Sequence, residues 1–393
     1  MPWKETCPVK ERQRFIDEYM RRELSMTELC RRFGISRKTG HKWARRYMEG
    51  CELDNRSTRP HRSPRAIAQW LEDAIVSVRK QRPQWGPKKL RAMLLKANPG
   101  AELPSVSTIA SILKRNGLVR RKRRRRTTPP YSAPFGEVRA PNSLWCIDFK
   151  GHFPTGQSRC HPLTITDAYS RYLIACVALR KPDGDSVRRA MQRVFAEFGL
   201  PEAIRSDNGS PFAAATPGGL SNLSAWWLKL GIRHERIEPG HPEQNGRHER
   251  MHLTLKQATA SPPERNLKAQ QRAFDRFRAD YNEVRPHEAL GQEVPASFYE
   301  PSQRRLPDPP WGRDFEYDDF WETIRVDKLG KVRWNGRSLL ITAALRHELL
   351  GLEWLGGRRW AVHFGPLLLG HLNTGKRALT FVREAKVSPM CVD

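Results

Sequence analysis

Within residues 10–49 apolar side chains recur at helical spacing. Phe15, Ile16 and Tyr19 do so in KERQRFIDEYMRRE, and Leu29, Phe33 and Trp43 do so within SMTELCRRFGISRKTGHKWARRYMEG. Ser25 or Thr27 can cap the second helix with Glu28 near its start, RFGIS makes a short glycine turn, and Ser36 caps a third helix. Helix, glycine turn and basic helix is the helix-turn-helix pattern. The same period returns in AIAQWLEDAIVSVRKQ, WGPKKLRAMLLKANP and SVSTIASILKRNGLV, the last capped at Ser105 or Ser107, and predicts a second helix-turn-helix. TTPPYSAPFGEVRAPN is a proline-rich boundary, and the next domain begins near residue 137.

Beyond that boundary the pattern changes. SLWCIDFKGHF is a short apolar segment around Asp148, and HPLTITDAYSRYLIACVAL predicts two strands around a Ser-Arg turn. DSVRRAMQRVFAEFG is an amphipathic helix, PEAIRSDNGSPF a strand ending at Asp207, LSAWWLKLG a helix, IRHERI a strand and 246–260 a helix. Strands and helices in this order predict a mixed sheet with helices packed on it. From residue 320 the chain holds short strands, ETIRV, KVRW, RSLLI, LEWL, RWAVHF and LLLGHL, with an Asn-Gly hairpin signal in WNGRS. Such strands predict a small C-terminal β-barrel. The expected order is thus a first helix-turn-helix domain at 1–52, a second with a basic linker at 53–136, an α/β core at 137–300, and a linker and barrel at 301–393.

Charge indicates the partner. The net charge is +28, and residues 1–130 hold 33 Lys and Arg against 12 Asp and Glu, so 33 − 12 = +21 lies in the first third. Residues 120–126, RRKRRRR, are seven consecutive cations. A polyanion neutralises such a run, and duplex DNA is the natural one because Lys and Arg release its condensed counterions. The candidate contacts are Arg37, Lys38, Lys42, Arg45 and Arg46 on the third helix, and Arg120, Arg121, Lys122, Arg123 and Arg124 in the run. A membrane partner is disfavoured: no amphipathic apolar face accompanies the run, and no apolar stretch approaches the roughly 20 residues that span a bilayer. The N-terminus has no apolar h-region, and the seven scattered cysteines form no Cys-x-x-Cys, which points to a reducing compartment.

Asp148 lies inside an apolar strand, where an unpaired carboxylate is costly. Asp207 sits where a strand meets an Asn-Gly turn; turn propensity alone explains it, and it explains Asp167 in TITDAYSR too. Three glutamates follow in EPGHPEQNGRHERMH: Glu238, Glu243 and Glu249. Carboxylates converging from two strands and a helix can hold two Mg²⁺ ions, one for the attacking and one for the leaving oxygen of a phosphodiester.

LWCIDF, RSDNGSPF and HPEQNGRHERMHLTLK, in that order, resemble the catalytic core of retroviral-integrase-like DDE transposases of bacterial insertion sequences. The helix-turn-helix front, RPHEALG at 285–291 and a small C-terminal domain fit the same resemblance. It implies a ribonuclease-H-like core and an Asp148, Asp207, Glu249 triad binding Mg²⁺ or Mn²⁺, two ions per site. It also implies metal-dependent 3′-end cleavage and strand transfer at terminal inverted repeats, in a bacterial cytoplasm, by a homo-oligomer. The gaps along the chain are 207 − 148 = 59 and 249 − 207 = 42; the second exceeds that of retroviral integrases, with AATPGGLSNLSAWW taking up the excess. No His/Cys zinc module precedes the core, unlike in those integrases.

In that family the glutamate follows the Asn-Gly pair by a few residues at a helix start, which selects Glu249 over Glu243 in its proline-flanked loop and Glu238 at the end of a strand. On a helix from Gly246, Glu249, His252, Leu253 and Lys256 share a face, so Lys256 points toward a DNA phosphate or is an ordinary solvated lysine. His248 and His252, at i and i+4, suggest a zinc pair, a reading set aside because no third soft ligand is evident and Mg²⁺ prefers oxygen. Asn208 and Gly209 shape the turn that holds Asp207. One triad and no internal repeat of it, against an element with two ends, call for at least two chains. Two other readings are a non-catalytic DNA-binding repressor, disfavoured by the intact trio, and a nuclease acting on RNA:DNA, disfavoured by the paired duplex-reading modules.

Overall fold

The computed structural model describes residues 7–55, 67–119, 138–156, 158–214, 216–238, 244, 246–334, 336–373 and 378–381. They fall into two compact units, Met1–Ala68 and Gln69–Asp393. No described helix is long and apolar enough to cross a membrane.

The first unit holds α1 (Pro8–Arg21), α2 (Met26–Arg32) and α3 (Arg37–Met48). Ser25 and Glu28 form a reciprocal capping box on α2, and Ser36 accepts from the Thr39 amide to start α3. Phe15, Ile16, Leu29, Cys30 and Trp43 are its core. Gly40 lets α3 approach closely, since a Cβ there would lie 2.4 Å from Cys30 Sγ.

The second unit begins with α4 (Gln69–Gln81), α5 (Pro87–Ala97) and α6 (Val106–Arg115), which bury Leu71, Ile75, Leu90, Leu94, Ile109 and Ile112. Ser105 caps α6. This module is clamped to residues 280–293. Arg82 pairs with Asp280 at 2.5 Å, Lys96 with Glu293 at 2.7 Å and Lys88 with Glu288, while Lys89 Nζ donates to the Pro286 carbonyl. Burial, with Arg285 close by, lowers the Lys89 pKa to about 8.

The central sheet contains β1 (Trp145–Phe149), β2 (Phe153–Thr155), β3 (Ser158–Asp167), β4 (Leu173–Leu179), β5 (Ala203–Ser206) and β6 (Arg233–Arg236). β3 pairs antiparallel with β1, β2 and β4; β1, β5 and β6 run parallel. α7 (Gly184–Phe198) links β4 to β5, and α8 (Asn222–Lys229) links β5 to β6. Alternation along β1 sends Trp145 and Ile147 into a core with Leu163, Phe195, Ile204 and Trp227. Asp148 therefore faces the opposite side, where α9 (Gly246–Thr259) and α10 (Leu267–Ala279) bring Met251, Leu255, Phe274 and Phe277 against Cys160 and Cys176. This is the ribonuclease-H-like α/β arrangement expected from the sequence.

β4 is an edge strand, and α10 covers it with side chains. Gln271 accepts from Ala178 N and donates to Cys176 O, and Arg278 donates to Ile174 O. α10 continues as a π-turn at Asp280–Val284, where Asn282 satisfies both N and O of Leu173 at 2.8 and 3.0 Å. Paired this way, the edge offers no template for another strand.

The C-terminal region corrects the expectation of a closed barrel. β7 (Glu322–Arg325), β10 (Leu349–Trp354), β11 (Arg359–Phe364), β12 (Leu367–Asn373) and β13 (Ala378–Phe381) form an open antiparallel sheet in the order β13-β12-β11-β10-β7. β8 (Lys331–Trp334) and β9 (Arg337–Leu340) form a separate hairpin, and among the described residues β7 and β13 do not pair. A barrel buries its inner face against itself. Here Leu350, Leu352, Val362 and Phe364 pack instead with Leu220, just before α8, and Ala225 within it, and with Val332 and Ile341 of the hairpin region. Lys229 of α8, nearly buried, reaches Glu348 at 2.7 Å and Asp314 at 3.6 Å across the same junction.

Candidate catalytic centre and nucleic-acid interface

The parallel ladder between β1 and β5 aligns Trp145 with Ile204 and Cys146 with Arg205, an offset of 204 − 145 = 59. Asp207 follows Asp148 by the same interval. The last pair of the ladder is Cys146 with Arg205, and the same register carried two residues further would set Asp148 and Asp207 level on adjacent strands. Asp207 Oδ1 accepts from the Gly209 amide at 3.1 Å, Asn208 Nδ2 donates to Ile237 O, and Ser206 Oγ donates to the Asp207 carbonyl at 2.8 Å. The Asn-Gly turn thus shapes the backbone around Asp207, as expected from its sequence.

Asp148 is about one-fifth exposed. Burial raises its pKa to about 7; the Asp207 charge adds to the rise and Glu249 contributes less, against the Phe149 amide and Lys150, which oppose it. A cation beside Asp148 would offset the cost of its buried charge.

Glu249 lies in the first turn of α9 and is exposed. The inward face of that helix carries His248 and His252, 2% and 4% exposed. Both reach Thr164 Oγ1 through Nε2, at 2.6 and 2.7 Å, and His248 Nδ1 also lies 2.9 Å from Thr166 Oγ1. Thr164 and Thr166 are the register partners of Asp148 and Cys146 on β1. The two histidines thus key α9 onto the strand pair that carries Asp148. His252 Nδ1 is 3.7 Å from Asp148 Oδ2. A charged imidazole there would be an ion pair, but burial holds the His252 pKa down at about 2 and that of His248 at about 3. Both rings are neutral at ordinary pH, and the separation from Asp148 is too long for a hydrogen bond.

Asp148, His248 and His252 form a cluster whose ligand atoms lie within 4.8 Å of one another. The sequence argument set the histidine pair aside for want of a third soft ligand; the group nearest the pair is a hard one, the Asp148 carboxylate on the sheet face that α9 covers. The histidines and Thr164 and Thr166 are the residues that reasoning from sequence passed over. Their signal was there, as a His pair one turn apart and two same-face threonines on the partner strand. Asp167 is structural as expected: buried, it accepts from Asn142 N and from Ser170 N and Oγ at 2.6–2.8 Å.

On α3, Arg37, Lys38, Lys42 and Arg45 are exposed. Arg46 is otherwise engaged, donating to the Glu52 and Asp54 carbonyls at 2.6 and 3.0 Å beside the Trp43 ring. Lys256 is exposed on α9. Arg120, Arg121, Lys122, Arg123, Arg124 and Glu243 lie outside the described residues.

Residues 138–242 and 230–295 match families described as Integrase core domain, 39–113 a Homeodomain-like domain, and 11–61 a Helix-turn-helix domain. An uncharacterized 31.7 kDa protein of insertion element IS407 from Burkholderia multivorans is 27% identical over 230 residues, 58% of this chain and 80% of that one. An uncharacterized 39.2 kDa protein of insertion element IS476 from Xanthomonas euvesicatoria is 28% identical over 244 residues, 60% of this chain and 66% of that one. The HTLV-2 integrase catalytic core domain, solved in complex with magnesium, aligns at a TM-score of 0.33 and 16% identity, covering 41% of this chain and 98% of that one.

Proposed function

We propose, from the premise that this chain carries an integrase core of the retroviral-integrase and DDE-transposase kind behind N-terminal helix-turn-helix modules, that it is a transposase. It binds the terminal inverted repeats of a mobile element in a bacterial cytoplasm, cleaves at the 3′ ends and joins them to target DNA. The observation that carries this reading is the coincidence of spacing and register. The interval between Asp148 and Asp207 equals the ladder offset of β1 and β5, which supports setting the two aspartates level, and the Asp207 and Glu249 charges both act to raise the Asp148 pKa.

Asp148, Asp207 and Glu249 would hold the Mg²⁺ or Mn²⁺, two ions per site. The donor set fits hard cations, being carboxylate oxygens whose mutual repulsion a divalent charge offsets. Bound there, such ions activate the attacking oxygen and stabilise the leaving 3′ oxygen of an in-line displacement. The chain's own residues hold the geometry. β1 and β5 fix the two aspartates, the His248 and His252 bonds to β3 fix α9, and Lys150, two residues past Asp148 on the same face, offers positive charge for a phosphate. Lys256 meets the DNA backbone further along α9. Arg37, Lys38, Lys42 and Arg45 enter the duplex groove from α3, and the run from Arg120 to Arg124 neutralises phosphates between the modules. One triad serves one end, so joining two ends takes two protomers on DNA.

The test is strand transfer of a labelled terminal repeat by Asp148→Asn, Asp207→Asn, Glu249→Gln and Glu243→Gln. The first three are expected to lose at least a hundredfold, and Glu243→Gln to keep activity. Wild-type activity in Glu249→Gln would overturn the assignment.

A further inference from the structure

Of the three clustered residues, only two aim at a common point. His248 has both ring nitrogens engaged by hydroxyls, Nε2 on Thr164 and Nδ1 on Thr166. It has no lone pair left for anything else and acts as a buttress. His252 uses Nε2 on Thr164 at 2.7 Å and turns Nδ1 toward Asp148 Oδ2 at 3.7 Å. We propose that His252 Nδ1 is a nitrogen ligand of the cation that Asp148 holds, so that the centre is Asp148, Asp207, Glu249 and His252. This rests on the reading that the carboxylate trio binds a divalent metal.

Proton accounting supports it. The Thr164 hydroxyl has one proton and is placed to donate it to the Asp148 carbonyl at 3.1 Å. Both imidazoles must then donate from Nε2, which leaves Nδ1 of His252 as a bare lone pair facing a carboxylate oxygen. Two lone pairs at that distance repel unless a positive charge sits between them. A proton or a metal ion is that charge.

Distance supports it too. Two ligands bonded at about 2.1 Å to one ion lie roughly 3.0 Å apart at an octahedral edge and about 3.4 Å at a tetrahedral one. Closing from 3.7 Å takes about 0.7 Å for an octahedral ion and about 0.3 Å for a tetrahedral one. The other ring nitrogen is fixed by a hydroxyl, the outer-shell bond that orients ligating histidines. Glu249 and His252 stand at i and i+3, neighbours one helical turn apart on α9, with Glu249 exposed and His252 buried against the sheet.

A nitrogen donor changes which metal is preferred. Mg²⁺ favours all-oxygen sites, whereas imidazole favours Mn²⁺ and later first-row ions. The centre is therefore expected to bind Mn²⁺ more tightly than Mg²⁺ by a margin that His252 controls.

The experiment is pulsed electron paramagnetic resonance of the full-length chain loaded with Mn²⁺, with natural-abundance and ¹⁵N-labelled histidine. Wild type and His248→Gln are expected to show a directly bonded imidazole nitrogen that switches with the label. His252→Gln is expected to lose it and to bind Mn²⁺ about tenfold more weakly, with Mg²⁺ affinity changed far less. A wild-type spectrum without histidine nitrogen coupling overturns the proposal, even if His252→Gln fails to fold. Failure of the underlying reading looks different: Asp148→Asn, Asp207→Asn and Glu249→Gln would all then bind Mn²⁺ as wild type does.

Discussion

Replacing Asp148 with asparagine should abolish activity and stabilise the metal-free protein. In the folded chain burial and the Asp207 and Glu249 charges raise the Asp148 pKa from 3.8 to about 7. At 1.36 kcal/mol per unit, a shift of about three units corresponds to roughly 4 kcal/mol of destabilisation carried by the ionised group. The sign follows from proton binding. Below pH 3.8 both folded and unfolded chains hold the proton and there is no cost. Between 3.8 and about 7 the unfolded chain has released it and the folded chain has not, so stability falls as pH rises. Above about 7 the cost is complete. Asparagine keeps the acceptor for the Phe149 amide, which Asp148 Oδ1 now takes at 2.7 Å, and carries no charge.

Urea denaturation in EDTA, followed by tryptophan fluorescence, reads this directly. At pH 8 Asp148→Asn is expected to exceed wild type by about 2–4 kcal/mol, and at pH 5 by less than half as much. Mg²⁺ should close most of that gap, because at a hundred times Kd it adds about 2.7 kcal/mol to a chain that binds it and little to one that does not. A variant no more stable than wild type at pH 8 in EDTA, or a gain unchanged at pH 5, would refute the reasoning.

Asn282→Ala removes both partners of the buried Leu173 backbone groups and should cost about 2–4 kcal/mol in the same denaturation measurement, since each stranded group costs about 1–3; a negligible loss would show that water replaces the amide. Combining Arg37→Ala, Lys38→Ala and Arg45→Ala should weaken binding to terminal-repeat duplex and flatten the log–log salt dependence by up to about 2.7, at about 0.9 per phosphate contact; an unchanged slope by fluorescence anisotropy would move the contact elsewhere. Mixing Asp148→Asn chains with Arg37→Ala/Arg45→Ala chains should restore strand transfer that neither shows alone, and no recovery at any ratio, with a one-chain mass for the active complex, would rule out crossed protomers.

Much of the fold was legible because its elements are local. Ser25, Ser36 and Ser105 cap helices where their sequence contexts say they should, and the short apolar runs became strands. The barrel was not legible because closure is a property of edges, and edges are settled by what lies next to them. Short strands in succession are compatible with a ring or an open sheet. Leu220 and Ala225, far earlier in the chain, complete the C-terminal core, and no periodicity within residues 320–381 announces them. Clamping of the second helical module was hidden likewise. Arg82, Lys88 and Lys96 look like DNA contacts in a basic segment, yet their carboxylate partners are Asp280, Glu288 and Glu293, on the far side of the core sequence.

At the site, spacing carried more information than residue type. Asp207 alone is a turn aspartate. What lifts it from that reading is its interval from Asp148, which has meaning only once β1 and β5 are known to be parallel neighbours in one register. The histidines failed for the complementary reason. Looking along the sequence for a third soft ligand finds none, because the nearest partner is Asp148, far upstream and hard. A strand fixes which face a residue takes, and a helix fixes which residues share a turn. Only the packing of α9 across β3 joins the two, and Thr164 does the joining, since the hydroxyl that orients His252 also lies opposite Asp148 in the ladder. The candidate ligand was therefore written in three places, each ordinary by itself: a threonine in a buried strand, a histidine on an inward helical face, and an aspartate that burial alone would have left protonated.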